Sequence, residues 1–209
     1  MSEYPDEFDN HGSSWKHSKL LDQCIGEKSK IKLLILDIDG VLTDGTKVYT
    51  QDHEPVYKRF RCKDFTAIKR FIAAGVQVIM LSGDNWNSEM ARKRNIPFYC
   101  TRGSDLSLDK SVYLSHLQSQ YNVKIENMAF VGDDYFDLSM FKTLFWTFAP
   151  SDSPRIIRQN CLYLLKSKGG QGVVQELYDF LVGKGIVTNA TEEEGAELDK
   201  KEASSAAMK

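Results

Sequence analysis

The chain has 209 residues, enough for one domain with a real core plus tails. Its formal net charge of −2 gives no sign of a dedicated nucleic-acid binder, and no apolar run reaches the length of a membrane span. The hydrophobic share of 42% is low for a wholly globular chain and fits polar ends around an ordered middle. Cys24, Cys62, Cys100 and Cys161 stand far apart, with no CxxC pair and no zinc spacing. Buried free thiols in a reducing cytoplasm are the expectation. His11, His17, His53 and His116 form no ligand pattern either, so surface or loop positions are expected for them.

Residues 1–29 read as a leader. Its acidic start, 1–12, lacks the apolar core of a signal peptide. Ser13 and Ser14 are caps for a short helix that carries Trp15, Leu20, Leu21, Cys24 and Ile25 and ends at Gly26. Four apolar residues, Leu33, Leu34, Ile35 and Leu36, then run unbroken into Asp37. That pattern predicts a strand buried on both faces, as in the middle of a parallel sheet. Two β-rich runs around the polar tetrad 51–54 predict a hairpin over 46–60, with Pro55 at an edge or first position. It reads as a flap over a site or as a pairing surface for another subunit.

Asp64 is a candidate cap for a helix carrying Phe65, Ile68, Phe71 and Ile72. A buried strand over 76–81 leads into Ser82, Gly83 and Asp84, and a helix over 87–94 and a short strand over 97–100 follow. A helix starting near Leu108, Asp109 and Lys110 runs to about Tyr121. A strand over 128–131 ends in Gly132-Asp133-Asp134, with a helix through Met140 and Phe141 after it. Residues 147–149 read as a strand, Ser153-Pro154 as a cap followed by proline at the first helical position, and 162–165 as a last strand. The basic glycine loop 166–172 precedes a core helix over 173–181. The Glu/Ala/Lys/Ser-rich stretch over 186–209 is expected to be a disordered or marginally helical tail. Alternating strands and helices make this an α/β chain with a doubly wound, mostly parallel sheet.

The chemistry follows from the strand ends. Side chains two apart on a strand point the same way, so Asp37 and Asp39 share one side of the sheet's carboxyl edge. Ser82 with Gly83, and Asp133, Asp134 and Asp137, end two other strands along that edge. So many carboxylates in a cleft repel one another and call for a cation or a shared proton. Hard oxygen ligands point to Mg²⁺. Lys110 and the N–H groups after Ser82 add donors for an anion, which completes a site for a phosphoryl group. A solvated helix-start lysine, a helix N-cap at Ser82, and capping roles for Asp134 and Asp137 remain open as structural alternatives.

These motifs resemble the haloacid dehalogenase (HAD) superfamily: Asp37-Ile38-Asp39-Gly40, Ser82, Lys110 and Gly132-Asp133-Asp134-Tyr135-Phe136-Asp137. More closely, the chain is similar to the capless branch that contains 3-deoxy-D-manno-octulosonate 8-phosphate (KDO 8-phosphate) phosphatase. The cues are Val41-Leu42-Thr43-Asp44-Gly45 with the hairpin directly after it, Ala149-Pro150, and Gly169-Gly170-Gln171-Gly172. The resemblance implies a HAD-like Rossmannoid domain over 30–185 with no large cap. It implies an Mg²⁺-dependent phosphomonoesterase acting on a small sugar-acid or sugar phosphate. Asp37 would be the nucleophile, forming an aspartyl-phosphate, and Asp39 the acid and base. Asp37, the Asp39 carbonyl and Asp133 would hold the metal, with Asp134 and Asp137 as outer or additional ligands. Ser82, Gly83 and Lys110 would hold the phosphate, and Thr43, Lys63 and Asp84 are candidate substrate contacts. The branch further implies a homotetramer formed through the hairpins, with the glycine loop reaching a site; a plain strand-to-helix turn is the other reading of that loop.

The chain departs from the branch in two places. Asp84 stands where the branch has arginine, which disfavours an anionic substrate there. Phe65 stands where it has glycine, placing a ring at the mouth of the site. A nucleotide or nucleic-acid-end phosphatase and a non-catalytic oligomerisation module are the competing readings.

Overall fold

The computed structural model describes residues 31–102 and 109–207. The leader, the helix expected over 13–26 and Leu108 lie outside them. Strand β1, Leu33–Leu36, is fully buried along its length, as its unbroken apolar run requires. It pairs in parallel with β4, Gln77–Ser82, on one side and with β6, Met128–Val131, on the other. The whole sheet runs β5 (Phe98–Cys100), β4, β1, β6, β7 (Trp146–Ala149), β8 (Tyr163–Leu164), with every pairing parallel. From β1 the chain winds outward to β4 and β5, then crosses back to build β6 to β8 on the opposite side. The winding reverses at β1, the place where open α/β sheets form their ligand crevice.

The period-two alternation of the strands sorts the core into two layers. Leu34, Leu36, Val78, Met80, Ala129 and Val131 pack with helices α1 (Cys62–Ala73), α2 (Ser88–Lys93) and α6 (Val173–Gly183). Leu33, Ile35, Ile79, Leu81, Met128 and Phe130 pack with α3 (Leu114–Tyr121), α4 (Leu138–Thr143) and α5 (Arg155–Asn160). A separate antiparallel hairpin, β2 (Val48–Tyr49) and β3 (Pro55–Tyr57), follows β1, and Pro55 opens its second strand.

Several expectations need correction. Asp64 does not cap its own helix, whose N-cap is Arg61. It is buried in the first turn of α1 and accepts hydrogen bonds from the backbone N–H of Val174 and Gln175, so it caps α6 instead. Burial raises its carboxyl against those two bonds. Pro154 is the N-cap of α5 rather than its first helical residue, with ψ at 150°. Of the thiols, Cys161 is buried, but Cys62 is exposed and Cys100 only partly covered.

The fold also continues past 185. Ile186, Val187 and Ala190 are buried, and Ala190 donates its N–H to the Tyr178 hydroxyl. A further helix, α7, covers Glu192–Ala207 and lies against α1. Thr191 and Glu194 exchange hydrogen bonds at its start, and Glu192, Glu193 and Glu194 suit the positive end of the helix dipole. Of the two readings of this stretch, disordered or marginally helical, the helix is the one observed.

Candidate active site

The carboxyl ends of β4, β1 and β6 are neighbours, and polar residues stand at or just beyond each: Ser82, Asp37 and Asp133. Asp37 follows β1 directly, with its N–H bonded to the Val131 carbonyl across the sheet. Ile38 is fully buried, and the chain then turns tightly: the N–H groups of Leu42 and Thr43 both bond to the Ile38 carbonyl. This turn lets Asp37 and Asp39 line one cleft, of about 200 Å³, together with Ser82, Gly83, Asp84, Lys110 and Asp134. Gly40 has a φ of +87°, and a Cβ there would sit 2.0 Å from the Asp133 carboxylate. Only glycine lets that carboxylate come so near the turn.

The floor of the cleft is rich in carboxylates. Lys110 is buried, with its ammonium 3.0 Å from Asp37 and 2.5 Å from Asp137. Asp37, Asp133 and Asp137 can each bring an oxygen within 4.8 Å of the others. Burial lifts the Asp37 carboxyl; Lys110 opposes this, Asp137 adds to it, and the group rests at about 7. Burial, then the charges of Asp37, Asp137 and Asp134, push Asp133 up to about 8. Burial pulls the Lys110 ammonium down, but Asp37 and Asp137 outweigh that and hold it above its ordinary value. One ammonium facing three carboxylates leaves a deficit of positive charge. The buried Asp133 Oδ1 has no hydrogen-bond partner among the described residues. A buried, under-satisfied oxygen cluster of this kind fits a hard divalent cation.

Asp137 also works locally. Its carboxylate accepts from the N–H groups of Asp133 and Asp134, and Asp134 accepts from the Tyr135 N–H, a reciprocal cap at the turn Tyr135–Asp137. Ser82 is buried, and its hydroxyl accepts from the Asp84 N–H and from Asn87, while Asp84 is the cap of the next turn. Thr43 is fully buried and outside the cleft lining; its hydroxyl donates to Asp39 at 3.3 Å. Lys63 is exposed on α1 and does not line the cleft. Phe65 is not at the mouth of the site. It is buried in the core beside Phe60, with the Arg94 guanidinium 3.4 Å from its ring centre. The glycine loop is a tied turn: Glu176 accepts from the N–H groups of Lys166 and Ser167, and Gly170 donates to the Val41 carbonyl.

Sequence reasoning named Asp39 and Asp84 but missed the lysines that pair with them in the wall of the cleft. Asp84 is paired with Lys47 at 2.5 Å and Lys58 at 2.7 Å. Burial raises its carboxyl, but those two lysines overcome the effect and hold it at about 2. Its negative charge is therefore already matched, which removes the expected bar to an anion. Both lysines come from the base of the hairpin, where Val48 faces Tyr57. That register brings positions 47 and 58 together, and a sequence with two β runs and basic flanks holds the only hint of it. Arg102, Thr101 and Phe136 also line the cleft and were not foreseen.

A family model for haloacid dehalogenase-like hydrolases matches residues 97–177. A curated relative is 32% identical over 160 residues, covering 73% of this chain and 83% of its own length. With acids at the end of the central strand and lysine and acids on the flanking elements, the chain belongs to the haloacid dehalogenase-like hydrolases. That relative is the 3-deoxy-D-manno-octulosonate 8-phosphate phosphatase of Haemophilus influenzae. The cobalt-bound structure of the Haemophilus influenzae phosphatase matches with a TM-score of 0.68 at 31% identity, covering 75% of this chain and 90% of that one. The Moraxella catarrhalis phosphatase, in complex with a magnesium ion, a phosphate ion and KDO, shares the fold at a TM-score of 0.68 and 22% identity, with coverage of 79% and 92%.

Proposed function

We propose that this chain is an Mg²⁺-dependent phosphomonoesterase that hydrolyses a small sugar-acid or sugar phosphate through an aspartyl-phosphate on Asp37. The observation that carries the reading is the floor of the cleft, where Asp37, Asp133 and Asp137 meet around Lys110 with too little positive charge. Asp37 and Asp133, with the Asp39 backbone carbonyl, would hold the cation, and Asp134 and Asp137 would support them. A bound Mg²⁺ would neutralise charge on the phosphoryl oxygens. Lys110 and the N–H groups around Ser82 and Gly83 would bind those oxygens and orient the phosphorus toward Asp37.

In the first step an Asp37 oxygen bonds to phosphorus, the bond to the leaving oxygen breaks, and Asp39 gives that oxygen a proton. In the second, Asp39 takes a proton from water, the water oxygen bonds to phosphorus, and the bond to Asp37 breaks to release inorganic phosphate. The small cleft, with Lys47 and Arg102 at its edge, suits a compact anionic substrate. The curated relative's activity supports a sugar-acid phosphate.

The hairpin exposes Val48, Tyr49, Val56 and Tyr57, an apolar surface that supports assembly of a homotetramer through it. Among the described residues no helix is long and apolar enough to cross a membrane. The free thiols of Cys62, Cys100 and Cys161 support a cytoplasmic setting.

The test is phosphate release from an aryl phosphate and from a panel of sugar, sugar-acid and nucleotide monophosphates, with and without Mg²⁺. Turnover should require Mg²⁺, favour the sugar-acid phosphates and vanish in Asp37→Asn. A nucleotide at the head of the panel would replace the substrate class. A folded chain that releases no phosphate from anything would refute the phosphatase reading.

A further inference from the structure

Lys58 follows the last residue of β3 and reaches into the cleft wall with a side chain only 1% exposed. Its ammonium lies 2.6 and 2.8 Å from the two oxygens of Asp39, 2.7 Å from Asp84 and 2.9 Å from the Asn87 side-chain oxygen. An ammonium has three protons to donate, and here three side chains take them all. None is left for a substrate, so Lys58 cannot serve as an anion-binding cation. Its contacts bear on Asp39 instead. Straddling both oxygens sets the plane of the Asp39 carboxylate, and two further donors fix it from either side. Asn87, fully buried, donates to Oδ2 at 3.0 Å, and Thr43 donates to Oδ1 at 3.3 Å. Burying a lysine is costly unless each of its donors is used, and this one is placed where a proton-transfer group must be aimed.

We propose that Lys58, delivered by the hairpin, is the positioning residue of Asp39, holding its carboxylate toward the leaving oxygen. The proposal rests on the phosphatase reading above, and on Asp39 as its proton donor. It also gives the hairpin a catalytic duty: Lys58 joins the flap to Asp39 on the turn after β1 and to Asp84 and Asn87 beyond β4.

A residue that aims a proton donor matters most where the leaving group needs a proton. An alkoxide leaving a sugar phosphate needs one; a nitrophenolate leaving an aryl phosphate hardly does. The quantity to compare is kcat/KM for p-nitrophenyl phosphate and for a sugar phosphate, because it reports the phosphorylation of Asp37 and not the later hydrolysis. In Lys58→Met, kcat/KM for the sugar phosphate should fall about a hundredfold and that for the aryl phosphate no more than about threefold. Asp39→Asn should lose at least as much on the sugar phosphate, and the double variant should be no slower on it than Asp39→Asn alone. Aryl phosphate turnover in the same preparation establishes that Lys58→Met is folded. Equal losses on both substrates, or losses that multiply in the double variant, would overturn the proposal and leave Lys58 as a pin for the hairpin. Wild-type protein that turns over neither substrate would instead strike the phosphatase reading itself.

Discussion

The floor and the wall of the cleft solve opposite electrostatic problems. On the floor, three carboxylates from the ends of β1 and β6 face one ammonium, and Asp37 and Asp133 are pushed up to about 7 and about 8. On the wall, Asp39 and Asp84 face Lys58 and Lys47, and Asp84 is held at about 2. The wall is balanced as it stands, while the floor carries more carboxylates than cations and could hold a metal ion. The contrast shows which of the two regions could hold a metal ion, and that the negative charge at 84 is already paired. Rigid strand ends carry the unbalanced charge; a hairpin and a turn carry the balanced charge.

The contrast breaks most clearly at Asp133. Asp133→Asn should raise the Mg²⁺ concentration needed for phosphate release about a hundredfold, read from a metal titration of turnover. Asp84→Asn should leave that Mg²⁺ requirement within about threefold of wild type, since Asp84 belongs to the wall. A shift at Asp84 as large as the shift at Asp133 would merge the two regions.

The pH dependence of stability sharpens the same point. Asp133 has a folded-state value of about 8, above the ordinary carboxylate value of 3.8 that it regains on unfolding. Between those values the folded state holds the proton more tightly than the unfolded chain. Its contribution is fully present below about pH 4 and is lost as pH rises through about 8. The melting temperature of metal-free protein should therefore fall from pH 5.5 toward about pH 8.5, and Mg²⁺ should restore much of it at the alkaline end. A metal-free melting temperature that climbs over that interval would contradict the charge deficit on the floor.

The smallest effect is expected where floor and wall join. The turn from Gly40 to Thr43 follows directly on Asp37 and Asp39, and the glycine loop backs it, with the Gly170 N–H on the Val41 carbonyl. A Cβ on Gly169 would meet the Gly40 carbonyl oxygen at 2.2 Å. Gly169→Ala should cost about 1–3 kcal/mol of stability, seen in denaturant unfolding, because backbone and not a flexible side chain must yield.

The floor was readable in the sequence because its residues sit at periodic places. An apolar run that stops at Asp37, a second strand ending in Ser82 and a third leading to Asp133 name three strand ends. A parallel sheet then gathers those ends on one edge. Lys110 was readable as the first residue of a turn entering a helix. The wall was not readable for the same reason reversed. Lys47 and Lys58 look like solvated charges on a small edge hairpin until the pairing of Val48 with Tyr57 sets them side by side. Asn87 carries no pattern at all. Asp64 looked like a local cap but serves Val174, 110 residues away, a partnership visible only after packing. The helix after 190 was left open against disorder by a composition rich in Glu, Lys, Ser and Ala, although the reciprocal bonds of Thr191 and Glu194 are a spacing that sequence alone carries.

The most direct test of the central claim is to catch the covalent intermediate. Protein mixed with Mg²⁺ and a turned-over phosphomonoester would be quenched in acid within a turnover, digested, and its peptides weighed. The phosphoryl group is expected on the peptide that carries Asp37, and it should be absent in Asp37→Asn. Rapid phosphate release with no phosphoryl group at Asp37, or with the label on another residue, would contradict the account.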